Sequence, residues 1–278
     1  LFFKLLFIQL IYARRAALMN PQLSLIFKQL NALILGKEAV MKQLLACVLA
    51  RGHVLLEDVP GVGKTTLAHG VATVLGLNYR RVQFTNDMLP SDLLGVNVFQ
   101  PNDGRFVFHP GPVFHSFLLA DEINRASPKL QSALLEAMEE RQVSIDGKTY
   151  ALPKPFLVVA TQNPGEQLGT FALPESQLDR FMMRLSMGYP TAEAELQLYA
   201  GGDRRRLLPK LQAATDAETL LQWQQQVAEI KLSAAAVQYV YRLVQATRAP
   251  GRVAVGVAPR ACFAVVAAAK ACAFTPGP

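Results

Sequence analysis

His53-Val54-Leu55-Leu56-Glu57-Asp58-Val59-Pro60-Gly61-Val62-Gly63-Lys64-Thr65-Thr66 is the stretch that decides the fold. Val54 to Leu56 is a short apolar run, the pattern of a strand buried on both faces of a parallel sheet. Pro60 to Gly63 is a turn, and Lys64-Thr65-Thr66-Leu67-Ala68 opens a helix. A strand, a glycine-rich turn and a helix N-terminus in that order form a cradle for phosphate. The N–H groups of Val62 and Gly63 can approach an anion where no side chain intervenes. The free N–H groups of the first helical turn add positive potential.

Lys64 is then expected to reach the β- and γ-phosphates of a nucleotide, and the Thr65 hydroxyl to ligate Mg²⁺. Pro60, Gly61, Val62, Gly63 and Thr66 complete the set expected to touch the phosphates. The strict pattern, GxxxxGK[ST], has glycine where this chain has Asp58. Asp tolerates a left-handed backbone better than most residues, so the turn is expected to survive with the carboxylate aimed away from the phosphates. A chance glycine-rich turn is the bland alternative, and the strand–turn–helix context argues against it.

Downstream, Phe117-Leu118-Leu119-Ala120-Asp121-Glu122 is a second apolar strand that ends in two carboxylates. In an open α/β sheet, ligands bind at the C-terminal edge of the strands. Asp121 is placed to hold Mg²⁺ through water. Glu122 is placed to polarise the water that attacks the γ-phosphorus. Phe156 to Thr161 is a further buried strand, and it delivers Gln162-Asn163-Pro164 to the same edge. The Asn163 amide can orient water or sense the γ-phosphate there, or it can belong to an ordinary strand-end turn. Ser176 to Phe181 ends a helix and Met182 to Met187 reads as the last strand. Arg180, expected beside the same edge, can cap its helix, pair with Asp179, or enter a neighbouring subunit's nucleotide site.

Upstream, Leu23, Ile26, Phe27 and Leu30 recur at helical spacing. Leu33-Ile34-Leu35-Gly36 breaks the pattern and Val40 to Leu49 restores it. Gly36 allows close approach to an adenine ring; a plain helix–helix turn explains it equally well. Two hairpins are legible. Val96–Gln100 and Arg105–Phe108 flank a glycine turn, and Val143–Ile145 and Thr149–Ala151 flank Asp146-Gly147. The aromatics of the first hairpin either pack or touch substrate. Pro128 to Arg141 is a helix with Leu130, Leu134 and Met138 on one face. Beyond Tyr189-Pro190 four helical stretches follow: Ala192–Ala200, Ala217–Ile230, Ala234–Gln245 and Ala261–Ala271. Arg260 starts the last of them, where it can reach back to the phosphates or sit in a salt bridge.

Composition bounds the rest. The 278 residues are 51% hydrophobic and 18% charged, a globular balance with room for one large or two modest domains. The net charge of +7 permits acidic partners. No basic block of nucleic-acid type stands out, and Arg204-Arg205-Arg206 reads as a solvated face or linker. Cys47, Cys262 and Cys272 have no metal-ligand spacing, and an odd number argues against a disulfide framework, so a reducing, cytoplasmic setting is expected. Leu1 to Tyr12 is apolar, too short to span a bilayer, and followed by Arg14-Arg15, the reverse of a secretory signal. Residues 1–20 are therefore expected to be a non-native or upstream-translated leader with the true start near Met19, a membrane-surface anchor being the rival.

With these motifs in view the chain resembles the MoxR family of AAA+ ATPases. His53 to Thr65 looks like its Walker A region, and Asp58 falls within the family's usual variants. Leu119-Ala120-Asp121-Glu122-Ile123-Asn124-Arg125-Ala126 resembles Walker B, and Ala160-Thr161-Gln162-Asn163-Pro164 resembles sensor 1. Gln177-Leu178-Asp179-Arg180-Phe181 matches the segment bearing the arginine finger, and Ala258-Pro259-Arg260-Ala261 is similar to sensor 2. The resemblance runs from about Pro21 to the C-terminus.

It implies an α/β P-loop NTPase fold: a five-stranded parallel sheet in the order 5-1-4-3-2 over residues 21–190. Leu93 to Phe108 is then the helix-2 insert and Gln142 to Leu152 the pre-sensor-1 hairpin. A smaller α-helical lid follows over residues 191–278, expected to be truncated at its C-terminus. It also implies ATP and Mg²⁺ as cofactors and a ring homo-oligomer, usually a hexamer. The work expected of the ring is chaperone-like remodelling of client proteins, including metal-cofactor insertion, often with a von Willebrand factor A domain partner. The implied roles are catalysis for Glu122, Asn163 and Arg180, nucleotide contact for Gly36, the Pro60–Thr66 loop, Asp121 and Arg260, and metal ligation for Thr65 and Asp121. A magnesium-chelatase-like motor subunit, a DNA-translocating helicase and a non-hydrolysing scaffold are the competing readings.

Overall fold

The computed structural model of the protein describes residues 20–102, 104–165, 169–249, 251 and 256–275. The leader expected over residues 1–20 lies outside the described residues except for Asn20. Two helices come first, α1 (Pro21–Leu33) and α2 (Glu38–Leu49). Asn20 caps α1 by accepting from the Gln22 N–H, and Pro21 sits at the first helical position where its missing N–H costs nothing. Leu23, Ile26, Leu30 and Leu33 form the buried stripe of α1, and α2 buries Leu44 through Leu49 without interruption.

The sheet strands and their crossovers follow: β1 (Val54–Glu57), α3 (Lys64–Val74), β2 (Tyr79–Gln83), α4 (Pro90–Leu94), hairpin β3 (Gly95–Gln100) and β4 (Arg105–Pro110), and β5 (Phe117–Asp121). Then come α5 (Pro128–Glu140), hairpin β6 (Gln142–Ile145) and β7 (Lys148–Ala151), β8 (Leu157–Gln162), the single turn α6 (Glu175–Leu178) and β9 (Met183–Leu185). The main sheet has the order β2-β5-β8-β1-β9 and every pairing in it is parallel. Counting only these five strands in chain order, that is 2-3-4-1-5, the expected order read from the other edge. The inserts β3–β4 and β6–β7 are separate antiparallel hairpins, as their alternating runs around a turn predict.

Burial explains the layering. In β5 every residue is buried, and in β8 all but the last. Successive side chains point to opposite faces, so each strand feeds two cores. Val54, Leu56, Phe117, Leu119, Leu157 and Val159 pack against α1, α2 and α3. Leu55, Leu118, Ala120, Val158 and Ala160 pack against Leu130, Leu134 and Met138 of α5. Each such valine, leucine, methionine or phenylalanine side chain contributes about 1.5–3 kcal/mol of burial. The last strand is shorter than its apolar run suggests, and the helix before it is one turn, opened by Pro174 and closed by Asp179.

After β9 come α7 (Ala192–Gly201), a 3₁₀ stretch over Arg204–Lys210, α8 (Ala217–Glu229), α9 (Ala234–Arg248) and α10 (Pro259–Phe274). Thr191, Asp216 and Ser233 cap α7, α8 and α9 with side-chain oxygens. Leu220, Trp223 and Val227 of α8 and Ala271 of α10 join the core under α2. Gln224 donates to the Val48 carbonyl, fixing α8 on α2 at 2.8 Å. The helical segment therefore leans on the helix that precedes β1. Among the described residues no helix is long and apolar enough to cross a membrane.

Candidate functional site: a phosphate cradle at the sheet edge

The cradle is built where β1 ends. Gly61 and Gly63 carry the left-handed backbone, with φ of 84° and 93°. A side chain at either would be strained, and a Cβ added at Gly61 would meet nothing within 4 Å, so the loop lies open on that side. Asp58 is not left-handed, contrary to expectation. Its carboxylate is nonetheless turned away from the cradle: it accepts from the Ser186 hydroxyl at 2.9 Å and from the Gly188 and Val59 N–H groups. Burial alone would raise the Asp58 pKa. Hydrogen bonds from Gly188, Ser186, Val59 and Met187 outweigh it and hold the carboxyl below its ordinary value. Asp58 thus ties the loop to the end of β9, work that glycine could not do.

Gly63 is also the N-cap of α3, with no side-chain cap. The first N–H groups of that helix, those of Lys64, Thr65 and Thr66, face the loop rather than a preceding turn. Pro60 and Gly61 are exposed, whereas Val62 and Thr66 are half-buried. Lys64 is 7% exposed. Its ammonium donates to the carbonyls of Asp58, Val59 and Gln162 and, at 2.5 Å, to Oδ1 of Asn163.

Thr65 Oγ1 donates to Asp121 Oδ2 at 3.3 Å. Thr161, at the end of β8, donates to Asp121 Oδ1 at 2.5 Å and accepts from the Glu122 N–H at 2.9 Å. One hydroxyl therefore locks the ends of β5 and β8 together. Glu122 adopts φ 57° and ψ 51°, a strained state for a residue with a side chain and one that turns it off the strand line. Its carboxylate pairs with Arg125 at 2.9 Å.

Gly36 lies in the turn between α1 and α2, with φ of 68°. A Cβ there would come within 3.2 Å of Ala194 in α7. Ile34, two residues earlier, reaches to 3.7 Å of a Cβ placed on Gly63, and Met187 reaches to 3.9 Å. The turn therefore supplies apolar cover at the flank of the cradle.

Arg180 and Arg260 are not at this edge. Glu139, in the last turn of α5, pairs with both, with Arg260 at 2.7 Å. That end of α5 belongs to the opposite side of the sheet. The neighbouring Met138 carbonyl bonds the His53 ring just before β1, and Arg141 donates to the Arg51 carbonyl at 2.8 Å. The Met182 N–H bonds the His53 carbonyl as well, which puts the entry of β9 there. Arg260 therefore does not reach back to the loop after β1, and the Arg180 side chain pairs with Glu139 rather than with Asp179, while its N–H bonds the Gln177 carbonyl of its own helix at 3.1 Å. The cause is the docking of α8 and α10 on α2, which carries the start of α10 behind the sheet.

Three contributors escape the sequence. Arg81 on β2 forms an ion pair with Asp121 at 2.8 Å, because Gln83 is in register with Asp121 and Arg81 lies two residues back on the same face. Thr161 and Glu139 are the others. The strand register carries the signal for Arg81 and Thr161; nothing local to Glu139 carries one.

Residues 53–183 match the ATPase family associated with various cellular activities (AAA). The chain is 43% identical over 256 residues to the uncharacterized protein YeaC of Bacillus subtilis, covering 92% of this chain and 80% of that one. It is 42% identical over 259 residues to the chaperone MoxR1 of Mycobacterium tuberculosis, covering 90% of this chain and 68% of that one. A crystal structure of a candidate ATPase from Cytophaga hutchinsonii matches with a TM-score of 0.77 at 37% identity, covering 88% of this chain and 77% of that one. Identity on that scale, over nearly the whole chain and around a strand, glycine turn and helix of this construction, has one consequence: the chain belongs to the MoxR family of AAA+ ATPases.

Proposed function

We propose that the chain binds ATP with Mg²⁺, hydrolyses it, and uses the cycle to remodel partner proteins as a chaperone-like motor. The observation that carries this reading is the convergence at one edge of the Lys64 ammonium on Asn163 and of the Thr65 hydroxyl on Asp121. An ammonium, a helix N-terminus and open left-handed glycines together suit a polyphosphate. The Thr65 hydroxyl and Asp121 carboxylate are hard oxygen donors, of the kind Mg²⁺ accepts beside phosphate oxygens and water. Among the described residues no group of three or more His, Cys, Asp or Glu offers an all-protein metal cage, which suits a cation that arrives with the nucleotide. Bound there, Mg²⁺ would offset the charge of the triphosphate. The Arg81 guanidinium already sits on Asp121 Oδ2 and has to share that oxygen.

In this reading Glu122 leaves Arg125 and accepts the proton of the attacking water. Asn163 hands its acceptor from Lys64 to the changing phosphate and reports the γ-position to β8. Arg180 and Arg260, on the far edge, serve the nucleotide of an adjacent copy, which calls for a closed ring, six copies being the expectation. A client that carries or works with a von Willebrand factor A domain, and metal-cofactor insertion as one outcome, belong to the same proposal. The chaperone name of the M. tuberculosis relative supports the client role.

The test is equilibrium binding of a fluorescent ATP analogue to the parent and to Lys64→Ala. The parent should saturate and the variant should lose at least about tenfold in affinity, the loss of one charge-assisted contact. Equal affinity would remove the cradle from the account.

A further inference from the structure

We propose that Glu139 is a positioning residue, a single carboxylate that holds the Arg180 and Arg260 guanidiniums together as one anion-receiving pair for the nucleotide of an adjacent copy. The proposal rests on the ATPase reading above and deepens it.

Three elements far apart in the chain meet here: the last turn of α5, the loop before β9, and the first turn of α10. The side chains are 30% exposed for Glu139, 31% for Arg180 and 57% for Arg260. At that exposure ion pairs are screened by solvent and contribute little stability. Stability is thus a weak reason for two arginines to share one acid. Presentation is a better one. One negative charge against two positive leaves a surplus cation, and Arg51 and Arg141 lie on the same edge. Burial first, and the charge of Arg51 second, depress the Arg141 pKa, so the two guanidiniums feel each other.

A surplus of fixed guanidiniums on an exposed edge suits a polyphosphate, since each planar fork can take two oxygens. The helix end that carries this carboxylate is anchored, because the adjoining Met138 carbonyl is bonded to the buried His53 ring. The same helix begins at Pro128, just beyond Glu122 and Arg125. It spans about 20 Å at 1.5 Å per residue, so one rod joins a chain's own catalytic carboxylate to the pair it offers its neighbour.

Subunit mixing tests this with steady-state ATPase assays on Glu139→Gln, which keeps the shape and loses the charge. Glu139→Asp provides a charge-retaining control and Arg180→Ala a control for action between copies. Glu139→Gln should lower kcat by about 10–100-fold, a fraction of what a finger contributes, with its own affinity for the ATP analogue within about twofold of the parent. Glu139→Asp should recover much of the rate. Adding Lys64→Ala subunits, which bring intact arginines but no cradle, should raise the turnover of Glu139→Gln above the sum of the two alone. Parental kcat in Glu139→Gln overturns the proposal. So does a defect that mixing leaves unchanged while the same mixing rescues Arg180→Ala, since Glu139 would then act only inside its own chain. If mixing rescues neither variant, service between copies fails and the proposal falls with it. A parent that never hydrolyses ATP defeats the functional reading itself, a result distinct from all of these.

Discussion

The Lys64 ammonium donates to Oδ1 of Asn163 at 2.5 Å, across 99 positions of sequence and from the helix after β1 to the end of β8. Both residues are buried, so the contact is made in a setting where hydrogen bonds to a charge are stronger than in water. It makes Asn163 a group whose position depends on where Lys64 points. In the proposed reading, a phosphate that drew the ammonium away would free the amide and so act on the end of β8.

Asn163→Ala is therefore expected to slow turnover more than it weakens binding. A fall in kcat of about 10²-fold, the scale seen for loss of one preorganised donor, should accompany a change in nucleotide affinity of about threefold or less. Steady-state kinetics beside equilibrium titration separate the two. A loss confined to affinity would make Asn163 a simple contact rather than a sensor.

Asp58 should matter for folding of the loop more than for phosphate contact. Its carboxylate takes hydrogen bonds from Ser186, Gly188 and Val59. Asp58→Gly restores the common glycine of the phosphate-binding pattern yet removes the tether to β9. The expected cost is about 1–2 kcal/mol, the scale of lost hydrogen bonds to a charged acceptor in a half-exposed place, read as a lower urea midpoint. Equal or greater stability of Asp58→Gly would contradict the tether.

His53 predicts an acid-side loss of stability. Its Nδ1 accepts from the Val158 N–H at 3.0 Å and Nε2 donates to the Met138 carbonyl, so the folded state needs a neutral ring. Burial first, and the Arg141 charge second, lower its pKa to about 4. The unfolded ring takes up a proton near pH 6.5 and the folded one near 4. Stability is whole above 6.5 and declines as pH falls toward 4. The decline between pH 7.5 and 5 should be about 2 kcal/mol from this group. Asp58, whose pKa is depressed below 3.8, acts only at lower pH and so does not blur that window. Urea unfolding of the parent and of His53→Gln at the two pH values checks it: the variant should show a smaller difference, and an equal difference would assign the effect elsewhere.

How much of this was legible in the sequence follows from how local each signal is. The cradle, the Asp121-Glu122 strand end and both hairpins were readable because turn chemistry and apolar runs act within a few residues. The strand order came with the family resemblance, and the parallel sheet carries it. Asp58 misled on backbone because its partners, Ser186 and Gly188, lie just beyond the neighbouring strand β9, far away in sequence. Arg260 was expected at the phosphates because the N-terminus of a last lid helix suggests that reach. Where α10 actually starts is decided by how Trp223 and Gln224 of α8 seat the helices on α2. Long-range packing of that kind leaves no periodic trace. Glu139 was invisible for the same reason: its two partners, in the loop before β9 and in the first turn of α10, are brought together only by the finished fold.

In the proposed reading a triphosphate is held at the β1, β5 and β8 ends and cleaved with Glu122 as base. Glu122→Gln keeps the size of the side chain and removes its basicity, so single-turnover hydrolysis of bound ATP is the direct test. ATP should bind Glu122→Gln about as well as the parent, with phosphate release slowed by about 10²-fold or more, the scale of a lost general base. Release at the parental rate from fully bound ATP would contradict it.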